Sequence, residues 1–451
     1  MDISMEAPPR LKGHVVAVPF PTRGHVNPMM NLCKFLASRA ANVIITFVVT
    51  EEWHGYIESY TKPHNIRYAT IPNVIPLENQ ILDDIFRFSK AIVTKMRDAF
   101  EQLLDQLDLP VTAIVADVEL VWPTAVAKRR NIPVALLWTM SASFFGTYLQ
   151  LDVLAPGRSS AADLLDEEAE HVLGITSSQL TDIRKLLREL DPKVLNIGLD
   201  CIPEIAKTDY LLLNTVQELE AEHINHLKAK FRFHVYPMGP AIPFLELEPP
   251  KDSSTTNFDH ITKWLDSQPN LSVIYISVGS FLSMSRPQME ELASALKTSG
   301  IRFLWACRSD SEWLKEKCGD RGLVVAWCDQ LKVLCHDSIA GFWSHCGWNS
   351  ILEACFAGVP ILGFPIFLDQ FSNCRLIAEE WKNGWMVGGE RSEDFVTKEE
   401  ILNVVKKVMD HGNKEGKKIR DRAKQLKALF EIGSSSLHLN LHAFVQDILG
   451  V

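Results

Sequence analysis

Residues 327–370 read WCDQLKVLCHDSIAGFWSHCGWNSILEACFAGVPILGFPIFLDQ, and the pattern of that stretch decides the fold. Ile339 to Trp343 is an apolar run of strand length, closed by Ser344-His345-Cys346-Gly347-Trp348-Asn349-Ser350. A helix is expected from Ser350 to Phe356 and a further strand from Pro360 to Gly363. Strand, polar turn, helix and strand make the repeating unit of a parallel sheet covered by helices on both faces. Ligands of such sheets bind where strands end, so the polar clusters are the places to look.

The chemistry of those clusters is specific. A helix N-terminus directs unpaired N–H groups and the positive end of its dipole outward, and Gly347 allows close backbone approach. With donors from His345, Asn349 and Ser350, the turn suits a diphosphate. Glu353, one turn into the helix, offers two acceptor oxygens that suit a ribose diol. Trp327 follows a strand expected at Leu323 to Ala326 and offers a flat face to a base. Asp369 and Gln370 offer groups that grip sugar hydroxyls. Taken singly, Trp327 is core, Ser350 an ordinary helix cap and Glu353 a solvated helix face. Polar groups after several successive strands are hard to explain as packing.

The alternation extends outward through the chain. Strands are expected at 14–20, 43–49, 66–71, 113–117, 134–137, 210–213 and up to Pro237, with helices near 26–40, 84–107, 121–130 and 217–228. The segment 156–200 is polar and helical in pattern, and either covers the first domain or forms part of a pocket. A Pro/Glu/Ser/Thr-rich run poor in periodic apolar residues follows Gly239-Pro240, so 241–256 is expected to be an interdomain linker. Alternation then restarts at Val273 to Val278. Thr397, with Glu400 three residues on, has the spacing of a capping box and opens a helical tail. The reading divides the chain into 1–240, a linker at 241–256, a second Rossmann-like domain at 257–430 and a helical tail at 431–451. Two such domains normally face each other across a cleft.

Composition excludes other classes. The chain has 451 residues and a net charge of −10 with dispersed basic residues, so nucleic acid is not an expected partner. Met1 to Gly13 lacks the apolar stretch of a secretory signal, and the longest uncharged run carries Pro133 and Gly146, so no membrane segment and a cytoplasmic location are expected. Nine cysteines without a Cys-x-x-Cys pair fit a reducing compartment. Cys328, Cys335, His336, His345 and Cys346 match no common zinc spacing, and no metal is expected. A monomer is expected.

The run from Trp-Cys-x-Gln through His-Cys-Gly-Trp-Asn-Ser to Asp-Gln closely resembles the signature box of plant family-1 UDP-dependent glycosyltransferases. Ser277-Val278-Gly279-Ser280 resembles that family's phosphate-side strand end, and Pro21 to Asn27 its N-terminal catalytic loop. The resemblance implies the GT-B fold, α/β with two Rossmann-like domains: 1–240 for the acceptor and 257–430 for the UDP-sugar. It implies that Trp327 stacks on uracil and that Gln330 and Glu353 bind ribose. His345, Asn349, Ser350 and Ser280 then bind the diphosphate, while Trp348, Asp369 and Gln370 contact the sugar. Leu368 departs from the residues often found before Asp-Gln in the family, so the wall of the sugar site differs there.

The implied reaction is inverting, metal-independent transfer of glucose from UDP-glucose, a co-substrate, to a hydroxyl of a small hydrophobic acceptor. No cofactor is implied. His25 follows the first strand and has the side chain whose ordinary pKa suits a general base at neutral pH. Asp117, ending the strand at 113–117, would orient it. Thr139, after Trp138, is a candidate contact to the transferred sugar. Phe86, Phe88, Phe144 and Phe145 line an apolar acceptor pocket or belong to the core. Gln370 would both donate to and accept from sugar hydroxyls, and a closing Gln generally accompanies glucose in the resembled family. Two alternatives remain beside this reading. One is an NAD(P)-dependent oxidoreductase, against which the first strand-to-helix turn has one glycine, Gly24, where three are needed. The other is a non-catalytic nucleotide-sugar-binding protein, against which His25 and Asp117 speak.

Overall fold

A computed structural model describes residues 13–40, 42–73, 85–154, 177–247, 259–279, 284–308, 311–388 and 395–450. The chain divides into two compact units, the first made of residues up to 175 with 183–241 and 434–451, the second of 176–182 with 242–433.

The first unit is built on seven parallel strands: β1 (Gly13–Val18), β2 (Val43–Thr50), β3 (Ile66–Ile71), β4 (Ala113–Asp117), β5 (Val134–Trp138), β6 (Tyr210–Leu213) and β7 (His234–Pro237). Their order is β3-β2-β1-β4-β5-β6-β7. β1, β4 and β5 are buried along their whole length, as β-branched and aliphatic runs covered on both faces should be. The order reverses between β1 and β4, paired from Val15↔Ala113 to Val18↔Ala116. At that switch point the connections leave to opposite sides and open a crevice at the strand ends.

The second unit repeats the scheme with six parallel strands: β8 (Val273–Ser277), β9 (Arg302–Ala306), β10 (Gly322–Val325), β11 (Ile339–Ser344), β12 (Ile361–Gly363) and β13 (Gly384–Met386). Their order is β10-β9-β8-β11-β12-β13, so the switch point lies between β8 and β11, where Ser277 pairs with Ser344. Ile274, Ile276, Trp305, Trp343 and Leu362 meet in its core. Ser285 caps the helix Arg286–Ser299, and Gly300 ends it in the left-handed region at φ 65°, where a side chain is disfavoured.

Two elements differ from expectation. The helix expected from Gln217 begins at Ala221, because the Glu220 carboxylate turns to the N–H groups of Ala142 and Ser143 and to the Thr215 hydroxyl. β13 was not foreseen: three residues are too few to show alternation. The tail opens with the expected capping box at Thr397 and Glu400 and runs as successive helices, Lys398–Met409 and Lys414–Leu449. Residues 434–451 are part of the first unit rather than an appendage. There Phe444 packs on Tyr210 and Tyr236 with ring centroids at 5.8 Å, and Asp447 accepts from Tyr236 and lies 3.0 Å from His234 Nδ1. All nine cysteines are free.

Candidate active site

In the first unit the switch point carries a His–Asp pair. β1 hands the chain to the helix Arg23–Arg39 through a tight turn, so His25 falls in the first helical turn beside the end of β4. Its Nδ1 lies 2.8 Å from Oδ2 of Asp117, which is 1% exposed. The other carboxylate oxygen, Oδ1, accepts the Glu119 N–H at 3.0 Å, so the carboxylate is held at both ends. An acceptor on Nδ1 fixes the proton there and makes Nε2 the unprotonated nitrogen, the tautomer a general base requires. Phe20 sits against the imidazole with centroids at 5.2 Å. Thr139 follows β5, and its Oγ1 lies 3.1 Å from the same Nδ1. That hydroxyl belongs to a residue buried to 4% exposure and lies against the His25 ring.

In the second unit the switch point carries the diphosphate candidates. The helix Trp348–Ala357 starts directly after β11, with Gly347 as its N-cap. His345 is packed between two glycines: a Cβ on Gly279 would stand 2.8 Å from its Nε2, and one on Gly347 2.5 Å. Gly279 has φ +90°, open to glycine at little cost. Burial pushes the His345 pKa down to about 4, with the Ser277 carbonyl acting in the opposite sense, so the imidazole is neutral at physiological pH. Its Nδ1 is buried and has no hydrogen-bond partner among the described residues, the kind of polar atom a bound oxyanion satisfies. Ser350 is buried one residue past Asn349 in the same turn, and Ser280 lies outside the described residues.

A hydrogen-bonded chain extends from this helix to the turn after β10. Tyr275 donates to Gln330 Oε1 at 3.2 Å, while Gln330 Nε2 donates to Ser350 Oγ at 2.9 Å and to Glu353 Oε2 at 2.7 Å. Both amide donors of Gln330 are thereby engaged. Burial raises the Glu353 pKa to about 7, with the Gln330 amide acting to lower it. Trp327 is 63% exposed, a large indole face open to a ligand.

The Trp348 residue is 3% exposed, with its ring tilted against Trp381 at 6.0 Å. Asp369 Oδ2 accepts from Asn373 Nδ2 at 2.8 Å. Gln370 Oε1 accepts the N–H groups of Ile366 and Phe367 at 2.9 and 3.0 Å. With both lone pairs taken, Gln370 presents only its amide donors, not the dual role expected of it. Asn373 and Tyr275 were missed by the sequence reading. The i, i+4 spacing of Asp369 and Asn373 could have shown the first, whereas Tyr275 lies inside an apolar strand and gives no signal. Phe88, Phe144 and Phe145 are buried, the last two against Trp138.

Among the described residues there is no group of three or more candidate metal ligands, and no helix long and apolar enough to cross a membrane. Residues 204–419 match the family model described as UDP-glucoronosyl and UDP-glucosyl transferase. UDP-glycosyltransferase 87A2 of Arabidopsis thaliana is 42% identical over 98% of both chains. Its relative 87A1, from the same plant, is 43% identical over 96% of this chain and 99% of its own. Among solved structures, O. sativa Os79 in complex with U2F and trichothecene aligns over 96% of this chain and 100% of its own, with TM-score 0.80 and 26% identity. UDP-glucose: anthocyanidin 3-O-glucosyltransferase in complex with UDP aligns over 98% and 99%, with TM-score 0.80 and 25% identity. The doubled parallel sheets, the polar clusters at both switch points and this likeness along nearly the whole length agree: the chain has the GT-B fold and belongs to the plant family-1 UDP-glycosyltransferases.

Proposed function

We propose that this enzyme transfers glucose from UDP-glucose to a hydroxyl of a small hydrophobic acceptor with inversion, His25 acting as general base oriented by Asp117. The observation that carries the proposal is the 2.8 Å contact between His25 Nδ1 and Asp117 Oδ2 at the switch point of the first sheet. The acceptor hydroxyl is a poor nucleophile until its proton leaves. Nε2 takes that proton as oxygen attacks the anomeric carbon, and Asp117 stabilises the imidazolium that forms. The bond to the diphosphate breaks as the new glycosidic bond forms, so a single displacement inverts the anomeric centre. The helix N-terminus at Gly347, with the neutral donors beside it, meets the charge that develops on the leaving UDP.

Glucose is the proposed sugar because the run closes on Gln370, as it generally does in glucose-using members of the resembled family, and its amide donors remain to meet sugar hydroxyls. A panel of hydroxylated aromatic and terpenoid compounds incubated with UDP-glucose, read by mass spectrometry and by NMR of the anomeric proton, tests the reading. The expected product is a β-glucoside. An α-glucoside overturns the single displacement, and preference for UDP-galactose or UDP-glucuronate at equal concentration overturns the donor assignment.

A further inference from the structure

The turn that presents Asp117 carries a second carboxyl for which the reaction above has no use. Glu119 is the middle residue of the 3-10 turn Val118–Leu120. Its neighbours Val118 and Leu120 are 1% and 0% exposed, whereas Glu119 is half-buried and keeps part of its surface open. Its N–H is engaged by Asp117 Oδ1, which ties the turn to the His25 dyad. Its carboxyl oxygens accept no hydrogen bond from any described residue.

The environment bears on that carboxyl strongly. Burial raises its pKa, His25 acts to lower it and Asp117 to raise it, which places it within electrostatic reach of both dyad members. The Cys201 thiol, at the start of the helix Cys201–Ile205, is pushed up by burial and then by Glu119 and Asp117. The nearby Glu204 differs, because the Thr124 hydroxyl and Lys207 Nζ each donate to it at 2.6 Å. A carboxyl partly withdrawn from water and without a donor among the described residues gains most from a donor that a ligand brings. The ligand brought to His25 in every turnover is the acceptor.

Resting on the assignment of His25 as base, we propose that Glu119 is a specificity-determining residue: it accepts a hydrogen bond from a second hydroxyl of the acceptor, next to the one presented to His25. The enzyme then prefers acceptors with two adjacent hydroxyls over their single-hydroxyl counterparts. A site built to bond a hydroxyl discriminates strongly against the analogue lacking it.

The test compares kcat/KM for 2-naphthol and 2,3-dihydroxynaphthalene with UDP-glucose as donor. In the wild type the diol should exceed the mono-ol by about fivefold or more, above the factor of about two that a second reactive hydroxyl gives by statistics. Glu119→Leu should reduce the ratio to about two while 2-naphthol turnover stays within about threefold of wild type. Glu119→Gln, whose amide oxygen still accepts, should fall between. Should the Leu variant not accumulate as folded protein, Glu119→Ala decides by the same ratio. An advantage that is absent from the wild type, or that survives removal of the carboxyl, overturns the proposal. Failure of the base assignment is read separately, as retained 2-naphthol turnover in His25→Ala.

Discussion

At the scale of single residues, His25 and Asp117 are separable from donor binding because they belong to the first unit. His25→Ala is expected to lower turnover by about a hundredfold to ten-thousandfold, the usual contribution of a general base, with UDP affinity by calorimetry nearly unchanged. Asp117→Asn should lower turnover with little loss of thermal stability. The amide oxygen can still accept the Glu119 N–H, but it cannot stabilise an imidazolium. Glu353 supplies a pH dependence whose sign is set by its burial. It holds a proton to about pH 7 in the fold, whereas an unfolded glutamate loses it near 4.5. The native state therefore binds the extra proton across that window, and this group's contribution to stability falls as pH rises from 4.5 to 7. A ribose diol donates to the ionised form, so UDP-glucose should bind more tightly at pH 8 than at pH 6, by up to about tenfold. UDP-glucose suits the measurement because its diphosphate, esterified at both ends, keeps a constant charge in that range. Glu353→Gln should flatten the profile, and His345, neutral above about pH 4, should not contribute to it.

At the scale of elements, the proposed diphosphate site makes the helix Trp348–Ala357 and the turn before it one anion-binding device. Gly347 has φ −62°, which any residue adopts, so a side chain there is opposed only by the His345 ring 2.5 Å from the added Cβ. Gly347→Ala should shift that imidazole and weaken UDP binding by about tenfold or more, while the melting temperature changes by only a few degrees. Calorimetry beside a thermal melt separates the two effects. Gly279 lacks this separation, since φ +90° adds backbone strain to the same contact. The helix could be read from the apolar periodicity after Ser350, and its anion-binding end from Gly347 and the polar run before it. The clasp of His345 between two glycines from different strand ends could not, because Gly279 and Gly347 are brought together only by the pairing of β8 with β11.

At the scale of the whole molecule, the final helix completes the first unit. Leu437, Leu441, Phe444 and Ile448 are each at most 5% exposed. Burying such side chains is worth about 1.5 to 3 kcal/mol apiece, so removing four of them costs about as much as a domain's entire stability. A chain ending at Gly433 should lose the protection of β1 and β6 in hydrogen exchange. Retained protection there would show that the final segment is dispensable.

The alternation of strands and helices, the polar residues closing β1, β4, β8 and β11 and the long Trp327–Gln370 run already specified two doubly wound sheets and nearly every candidate ligand group. Periodicity and local turn chemistry act over a few residues, and each of those features is local. Folding decided which groups are free. Gln330 is bound to Ser350 and Glu353, the Gln370 carbonyl is closed by two backbone N–H groups, and Thr139 rests on His25, while Glu119 is left beside the dyad without a donor. A side chain's hydrogen-bonding capacity belongs to its residue type, but its availability depends on partners that the folded backbone brings to it, for Gln330 and Thr139 from twenty or more residues away and for Gln370 from the turn just before it.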